Sequence, residues 1–283
     1  MIKLVAIDLD GTLFDDVKNI SKENKEAIKK CHELGIKIII ATGRPFKGVL
    51  PVLEELGLTT NDDYAIIYNG ARIINVGKME TISSSNVDGK LVKKLFNESK
   101  RLNVNIHAFR NTEELITPKH NPYTDVEAKI NHVDDHLFDF NLLNDDDIFI
   151  KAMLVDSEEN IDRIMNLVDP YFKDNYSVNR SSKIFLEFLN KKSDKGKALI
   201  ELAKYLNIDI KDTMAIGDAG NDLPMIISSG FGVAMANSKD EIKNKADFVT
   251  KSNLESGVAY AINEYVLKGI IEWLSQIFYV QIL

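Results

Sequence analysis

Cysteine is nearly absent: Cys31 is the only one in 283 residues. A single thiol can form neither a disulfide framework nor a cysteine-ligated metal site. Cys31 falls on the stripe Ala27, Ile28, Cys31 and Leu34, the spacing of a buried helix face, so packing is its expected role. Excess positive charge is lacking as well. With 35 Lys and Arg against 43 Asp and Glu, the formal net charge is -8. That balance argues against broad nucleic-acid binding, which needs cations to neutralise phosphates. A small phosphorylated ligand stays open, because a local basic cluster outweighs global charge at short range. The amino-terminal segment reaches Asp8 too soon to hold a secretory apolar region. No internal repeat or low-complexity linker is evident. What is left is a globular, cytoplasmic protein. Its 45% hydrophobic and 28% charged residues suit a sizeable core in one large domain or two moderate ones.

What is there begins at residue 4. Leu4, Val5, Ala6 and Ile7 form the continuous apolar run of a buried parallel strand, and Asp8-Leu-Asp-Gly-Thr12 follows directly. Asp8 and Asp10 are two residues apart, so in extended chain they lean to the same side. Ligands of open α/β sheets bind just beyond the carboxyl ends of strands. An Asp-Gly turn after a strand accounts for the pentapeptide equally well.

Further strands and helices alternate with short connections. Ser21 can cap a helix running to Leu34, with Gly35 in the position after its end. Residues 36–41 (IKIIIA) read as a second strand, with Pro45 at the first position of the next helix. Residues 65–68 (AIIY) read as a third strand, ending in the turn signal Asn69-Gly70. Later come a helix over 193–206 and strands over 213–216 and 231–235. This alternation predicts a doubly wound parallel sheet. The middle of the chain differs. Helix-like segments at 88–102 and 158–168 mix with strand-like pieces near 104–109, 149–155 and 176–179, as in an inserted α+β domain. The triplet Asp145-Asp146-Asp147 reads as a solvated loop, and residues 119–123 (KHNPY) as a polar surface loop. His107, His120, His132 and His136 lack metal-ligand spacing and are expected at the surface or in packing.

Three downstream signals give the first motif chemical company. Thr42-Gly43-Arg44 sits between a strand and a helix, where a hydroxyl, a glycine backbone and a helix N-terminus suit phosphate oxygens. Lys195-Gly196 opens a helix, an unfavourable place for lysine against the helix dipole unless carboxylates or a phosphate lie beside it. Residues 217–222 (GDAGND) place two carboxylates and an amide after a buried strand, an oxygen-rich set for a hard cation such as Mg²⁺.

In this order, DLDGT, TGR, Lys-Gly and GDAGND resemble the motifs of the haloacid dehalogenase-like phosphatases. The long insertion between Arg44 and Lys195 resembles the C2-type cap of their Cof-type subgroup. Residues 68–71 (YNGA), 232–237 (GVAMAN), 248–253 (FVTKSN), 257–262 (GVAYAI) and 265–267 (YVL) extend the likeness over residues 2–267, the last segments toward bacterial sugar phosphatases. The resemblance implies a Rossmann-like core at 1–83 and 184–268 and a cap at 84–183. It implies a Mg²⁺-dependent phosphatase of a small phosphorylated metabolite, with a sugar phosphate as the leading substrate. Phosphates of a nucleotide or of a cofactor such as FMN or pyridoxal phosphate are the alternative, as is a regulatory binding protein on the same fold. Asp8 is then the nucleophile and Asp10 the acid and base. Lys195, Thr42, Gly43 and Asn221 bind the phosphoryl group. The metal falls to Asp8, the Asp10 carbonyl and Asp218, with Thr12 and Asp222 in support. Arg44 and Asn69 are candidate substrate or cap contacts, and Gly70 a candidate hinge before the first crossing into the cap.

Residues 269–283 depart from the family pattern. Ile270, Trp273, Leu274, Ile277 and Phe278 share a helical face, but Glu272 interrupts a run already shorter than the about 20 residues that span a bilayer. Packing on the core or self-association, for instance as a homodimer, is expected there rather than membrane binding.

Overall fold

The computed structural model describes residues 1–269, and the expectations for the tail lie outside the described residues from 270 onward. The chain begins with β1 (Leu4–Ile7), α1 (Lys22–Glu33), β2 (Lys37–Ala41), α2 (Phe46–Glu55), β3 (Tyr64–Ile67), β4 (Arg72–Asn75) and β5 (Glu80–Ser84). The middle carries β6 (Val87–Asp88), α3 (Gly89–Leu102), β7 (Asn105–Arg110), β8 (Leu115–Thr117), α4 (Pro122–Asn131) and β9 (Asp135–Leu137). It continues through β10 (Ile148–Val155), α5 (Glu158–Ile164), α6 (Pro170–Asn175), β11 (Tyr176–Ser182) and β12 (Phe185–Asn190). The chain returns through α7 (Lys195–Tyr205), β13 (Thr213–Gly217), α8 (Leu223–Ser228), β14 (Phe231–Ala234), α9 (Asp240–Lys243), β15 (Phe248–Val249) and α10 (Gly257–Ile262).

One sheet has the strand order β15-β14-β13-β1-β2-β3-β4-β5. Its first six strands are parallel, with β1 central and in register Leu4 to Thr213 on one side and Leu4 to Lys37 on the other. Both faces of β1 are covered, which is why its four residues are all apolar. Val5 and Ile7 pack with Ile28, Cys31, Val258 and Ile262 of α1 and α10, while Leu4 and Ala6 meet Leu199, Leu202 and Met225 of α7 and α8. Helices thus cover both faces, as the doubly wound expectation requires. Cys31 is buried in this packing, and burial pushes its thiol up to about 12. The sheet is not parallel throughout, because β3, β4 and β5 form an antiparallel edge that the sequence pattern did not reveal.

The second sheet is built by the insertion, in the order β11-β12-β10-β7-β8-β9, with β6 on the end of β10. Ala152 and Leu154 of β10 and Phe188 of β12 face α3 and α5, packing on Leu91, Leu95, Ile161 and Ile164. The alternate residues, Met153 and Val155 of β10 and Phe185 and Leu189 of β12, join the hydrophobic cluster of the first sheet. Lys151 and Glu187 follow the same period of two, so they point toward the core side as well.

Three expectations change here. β12 belongs to the insertion, so the return to the core falls after Asn190 rather than at residue 184. The Asn69-Gly70 turn lies inside the first sheet, between β3 and β4, and the crossing to the insertion comes only after Ser84; Gly70 is therefore not at that crossing. Residues from Pro122 form α4 rather than a surface loop: the Asn121 side chain caps Thr124 N at 2.9 Å, and Pro122 sits at the first helical position.

Candidate active site

Asp8 is the first residue past β1, with its N–H donating to the Ile216 carbonyl at 3.0 Å. The chain then turns at once, Thr12 and Phe14 N–H donating back to the Leu9 carbonyl. Gly11 makes this turn at φ 86°, and a Cβ there would lie 2.6 Å from the Asp218 carboxylate. Around this turn Asp8 and Asp10 take different partners. Asp8 is buried and takes the Lys195 Nζ at 2.5 Å. Asp10 is half-exposed, bound by Arg44 Nε and Nη2 at 3.1 and 2.8 Å and by Lys18 Nζ at 2.7 Å. Both still border one cavity of about 630 Å³ between the two sheets.

Lys195 stands at the first position of α7, whose N-terminus is capped by Asp194 accepting from Lys197 N at 2.7 Å. The dipole cost of a lysine there is offset by two buried carboxylates, Asp8 and Asp222, the latter at 2.6 Å. Asp222 in turn uses its other oxygen to accept the N–H groups of Asp218 and Ala219 at 3.1 and 3.0 Å, which shapes the loop after β13. Asp218 is held on one oxygen by the buried Thr12 hydroxyl at 2.8 Å.

Three carboxylates, Asp8, Asp218 and Asp222, thus offer ligand atoms within 4.8 Å of one another, and the Lys195 ammonium pairs with two of them, Asp8 and Asp222. Burial and then repulsion from Asp222 raise the proton affinity of both Asp8 and Asp218, the latter up to about 6. Burial works against charge on Lys195, but Asp222 and Asp8 more than reverse it and hold the ammonium above its usual range. Asp10 goes the other way: burial pushes it up, yet Arg44 and then Lys18 hold it below the ordinary carboxylate range. A dense set of hard oxygen donors with uncompensated negative charge suits a divalent cation. Asp8 and Asp218 have the freer oxygens; Asp222 is committed to Lys195 and the loop backbone, a supporting position, and the Asp10 carboxylate stands outside the cluster.

The other predicted residues gather at the same cavity. Thr42 is buried at its edge and its hydroxyl accepts from Arg44 N at 3.2 Å; a Cβ on Gly43 would press on the Asn69 amide at 3.0 Å. Asn69, in the left-handed region at φ 54°, accepts from Asn221 Nδ2 at 3.1 Å and donates to Glu187 Oε2 of the insertion at 2.7 Å. Arg44 borders the cavity but is engaged with Asp10 and stacked over Phe14.

Sequence reasoning passed over the roof of the cavity. Glu127 of α4, Lys151 of β10 and Glu187 of β12 are all buried and line it together. Their signal was present in part: Lys151 and Glu187 are single charges inside otherwise apolar strands. His132, expected to be at the surface or in packing, borders the cavity, and His107 is buried between Thr124 and Met153 with burial pulling its pKa down to about 3. His120 lies near Asp125 and Asp135 at the exposed edge of the insertion, closer than its sequence spacing suggested.

The chain belongs to the haloacid dehalogenase-like hydrolases, a family that matches residues 5–262. It is 37% identical to the YxeH protein of Bacillus subtilis (strain 168) over 269 residues, covering 94% of this chain and 99% of that one. It is 33% identical to YwtE of the same organism, a 5-amino-6-(5-phospho-D-ribitylamino)uracil phosphatase, over 93% of this chain and 98% of the other. Among solved structures, a haloacid dehalogenase-like hydrolase from Bacteroides thetaiotaomicron superposes with a TM-score of 0.82 at 30% identity, covering 93% and 99% of the two chains. The subclass IIB sugar phosphatase BT4131 superposes at 0.76 with 27% identity, over 93% and 98%. The protein is a phosphatase of this family. No helix among the described residues is long and apolar enough to cross a membrane.

Proposed function

We propose that the enzyme hydrolyses a sugar phosphate in a Mg²⁺-dependent reaction that passes through an aspartyl-phosphate on Asp8. The observation that carries this reading is the buried Asp8 carboxylate, 2.5 Å from a buried ammonium and bordering the cavity. Mg²⁺ would be held by Asp8, Asp218 and the Asp10 carbonyl, and when bound it supplies the positive charge that lets an anionic ester approach a carboxylate. Lys195 keeps Asp8 aimed and opposes the burial that favours its protonated form. Thr42, the Gly43 amide and Asn221 stand at the cavity edge as donors for phosphoryl oxygens.

An Asp8 oxygen attacks phosphorus, the bond to the ester oxygen breaks, and that oxygen takes its proton from Asp10. Asp10 then removes a proton from water, which attacks phosphorus, releasing inorganic phosphate and restoring Asp8. Before substrate arrives, Arg44 and Lys18 keep Asp10 ionised. Substrate oxygens compete for Arg44, and with the guanidinium drawn away the Asp10 carboxyl regains the proton it must donate.

The sugar phosphate as substrate rests on the polar roof of the cavity and on the activity named for BT4131. YwtE acts on a ribityl phosphate, also an ester of a polyhydroxylated alcohol. A panel of phosphorylated metabolites, ranked by kcat/KM with Mg²⁺ and with EDTA, tests the proposal. Metal-dependent turnover led by sugar phosphates is expected. A ranking led by nucleotide, flavin or pyridoxal phosphates overturns the substrate class, and absent or metal-independent turnover overturns the mechanism.

A further inference from the structure

We infer that Glu127 is a specificity-determining residue that accepts hydrogen bonds from hydroxyl groups of the leaving alcohol, so that the enzyme prefers phosphate esters of alcohols with adjacent free hydroxyls. This rests on the phosphatase reading of the Asp8 site and assigns the opposite wall of the same cavity. Three elements of the insertion converge there. Lys151 Nζ donates to Glu187 Oε1 at 2.8 Å and lies 3.5 Å from Glu127 Oε1. Glu187 Oε2 takes the Asn69 amide at 2.7 Å, so both Glu187 oxygens have partners.

Glu127 differs. Among the described residues its carboxylate has only the long Lys151 contact, although the residue is 5% exposed and lines the cavity. A carboxylate withdrawn from water with spare acceptor capacity is unfavourable until a donor meets it. Burial accordingly raises its proton affinity, with Lys151 opposing. Asp8 and Asp10 border the same volume, so the alcohol esterified to a phosphoryl group at Asp8 extends toward this roof. Hydroxyls satisfy such a pair from both sides, donating to Glu127 and accepting from Lys151. An alcohol without them leaves Glu127 unpaired, and sites built around a hydrogen bond discriminate strongly against analogues that lack it.

The test measures kcat/KM of the full-length enzyme with Mg²⁺ on glucose 6-phosphate, ribitol 5-phosphate and glycerol 3-phosphate. p-Nitrophenyl phosphate serves as the ester without hydroxyls. For Glu127→Gln, the ratio of the best polyol phosphate to p-nitrophenyl phosphate is expected to fall about 10- to 100-fold, the range for a hydrogen bond to a charged group. Both esters meet the same sample, so misfolded protein cancels from the ratio. An unchanged ratio, including an equal loss on both esters, overturns the inference and marks Glu127 as structural. If wild type cleaves p-nitrophenyl phosphate in a metal-dependent way but favours no polyol phosphate, this inference fails while the phosphatase mechanism stands. If wild type cleaves none of the four, both fail.

Discussion

Replacing Lys195 with methionine removes the ammonium that pairs with Asp8 and Asp222, beside Asp218, while keeping a side chain of similar length. Two contacts are lost at a fully buried position, 2.5 Å to Asp8 and 2.6 Å to Asp222. Breaking a buried ion pair from one side costs about 3–5 kcal/mol, because the surviving charge stays desolvated. In metal-free protein at pH 7.5 that corresponds to a melting temperature lower by roughly 6–20 °C, at about 2–4 °C per kcal/mol for a chain of this order. The penalty depends on pH in a defined direction. Asp8 and Asp218 already bind protons more tightly in the fold than in the unfolded chain, and without Lys195 they do so more strongly. Groups raised in this way favour the fold at low pH and lose that contribution as pH rises through their folded values, about 6 for Asp218 in the wild type. The deficit of the variant must therefore be larger at pH 7.5 than at pH 5. Thermal unfolding followed by circular dichroism in EDTA at both values measures it. An unchanged melting temperature at pH 7.5, or a larger deficit at pH 5, refutes this reasoning. The variant's kcat should also fall about 10²–10³-fold, the scale for losing one preorganised electrostatic contact.

Asp8→Asn should separate stability from activity. It removes a carboxylate that burial and its neighbours disfavour, so metal-free protein should melt at a higher temperature while kcat falls at least about 10³-fold. Mg²⁺ at millimolar concentration should raise the wild-type melting temperature more at pH 7.5 than at pH 5, since protons compete for Asp218 below about 6; an equal shift at both values would count against the carboxylate cluster as the metal site. Thr12→Val strips Asp218 of its 2.8 Å hydroxyl contact and should cost about 1–3 kcal/mol in urea unfolding. Asn69→Asp sets a carboxylate against Glu187 at a 2.7 Å contact between core and cap, so KM should rise and small-angle scattering should show a larger radius of gyration.

How much of this was legible depended on how local each feature is. β1, β2, β3 and β13 were readable because central parallel strands are apolar throughout, and the polar residues right after them stood out. Asp8, Thr42 and Asp218 were found that way. Lys195 was found because a lysine at a helix start asks for a partner. The roof of the cavity was not assigned, since Lys151 meets Glu187 and Glu127 across 36 and 24 residues and spacing cannot show such meetings. Glu127 was further hidden because α4 was passed over: its polar residues outweighed the start signal Asn121-Pro122. The cap boundary slipped for a related reason, as β12 pairs with β10 and β11 of the insertion and nothing in its own residues says which sheet it joins.

The central claim is that Asp8 carries the phosphoryl group during turnover. Acid-quenching the enzyme within one turnover, reducing it with borohydride and sequencing the peptides by mass spectrometry tests it directly, because reduction converts an aspartyl-phosphate to homoserine. The account predicts homoserine at position 8 only, formed with substrate and Mg²⁺ and absent with EDTA. Turnover with an unmodified Asp8, or with the label at Asp10 or Asp218, would contradict it.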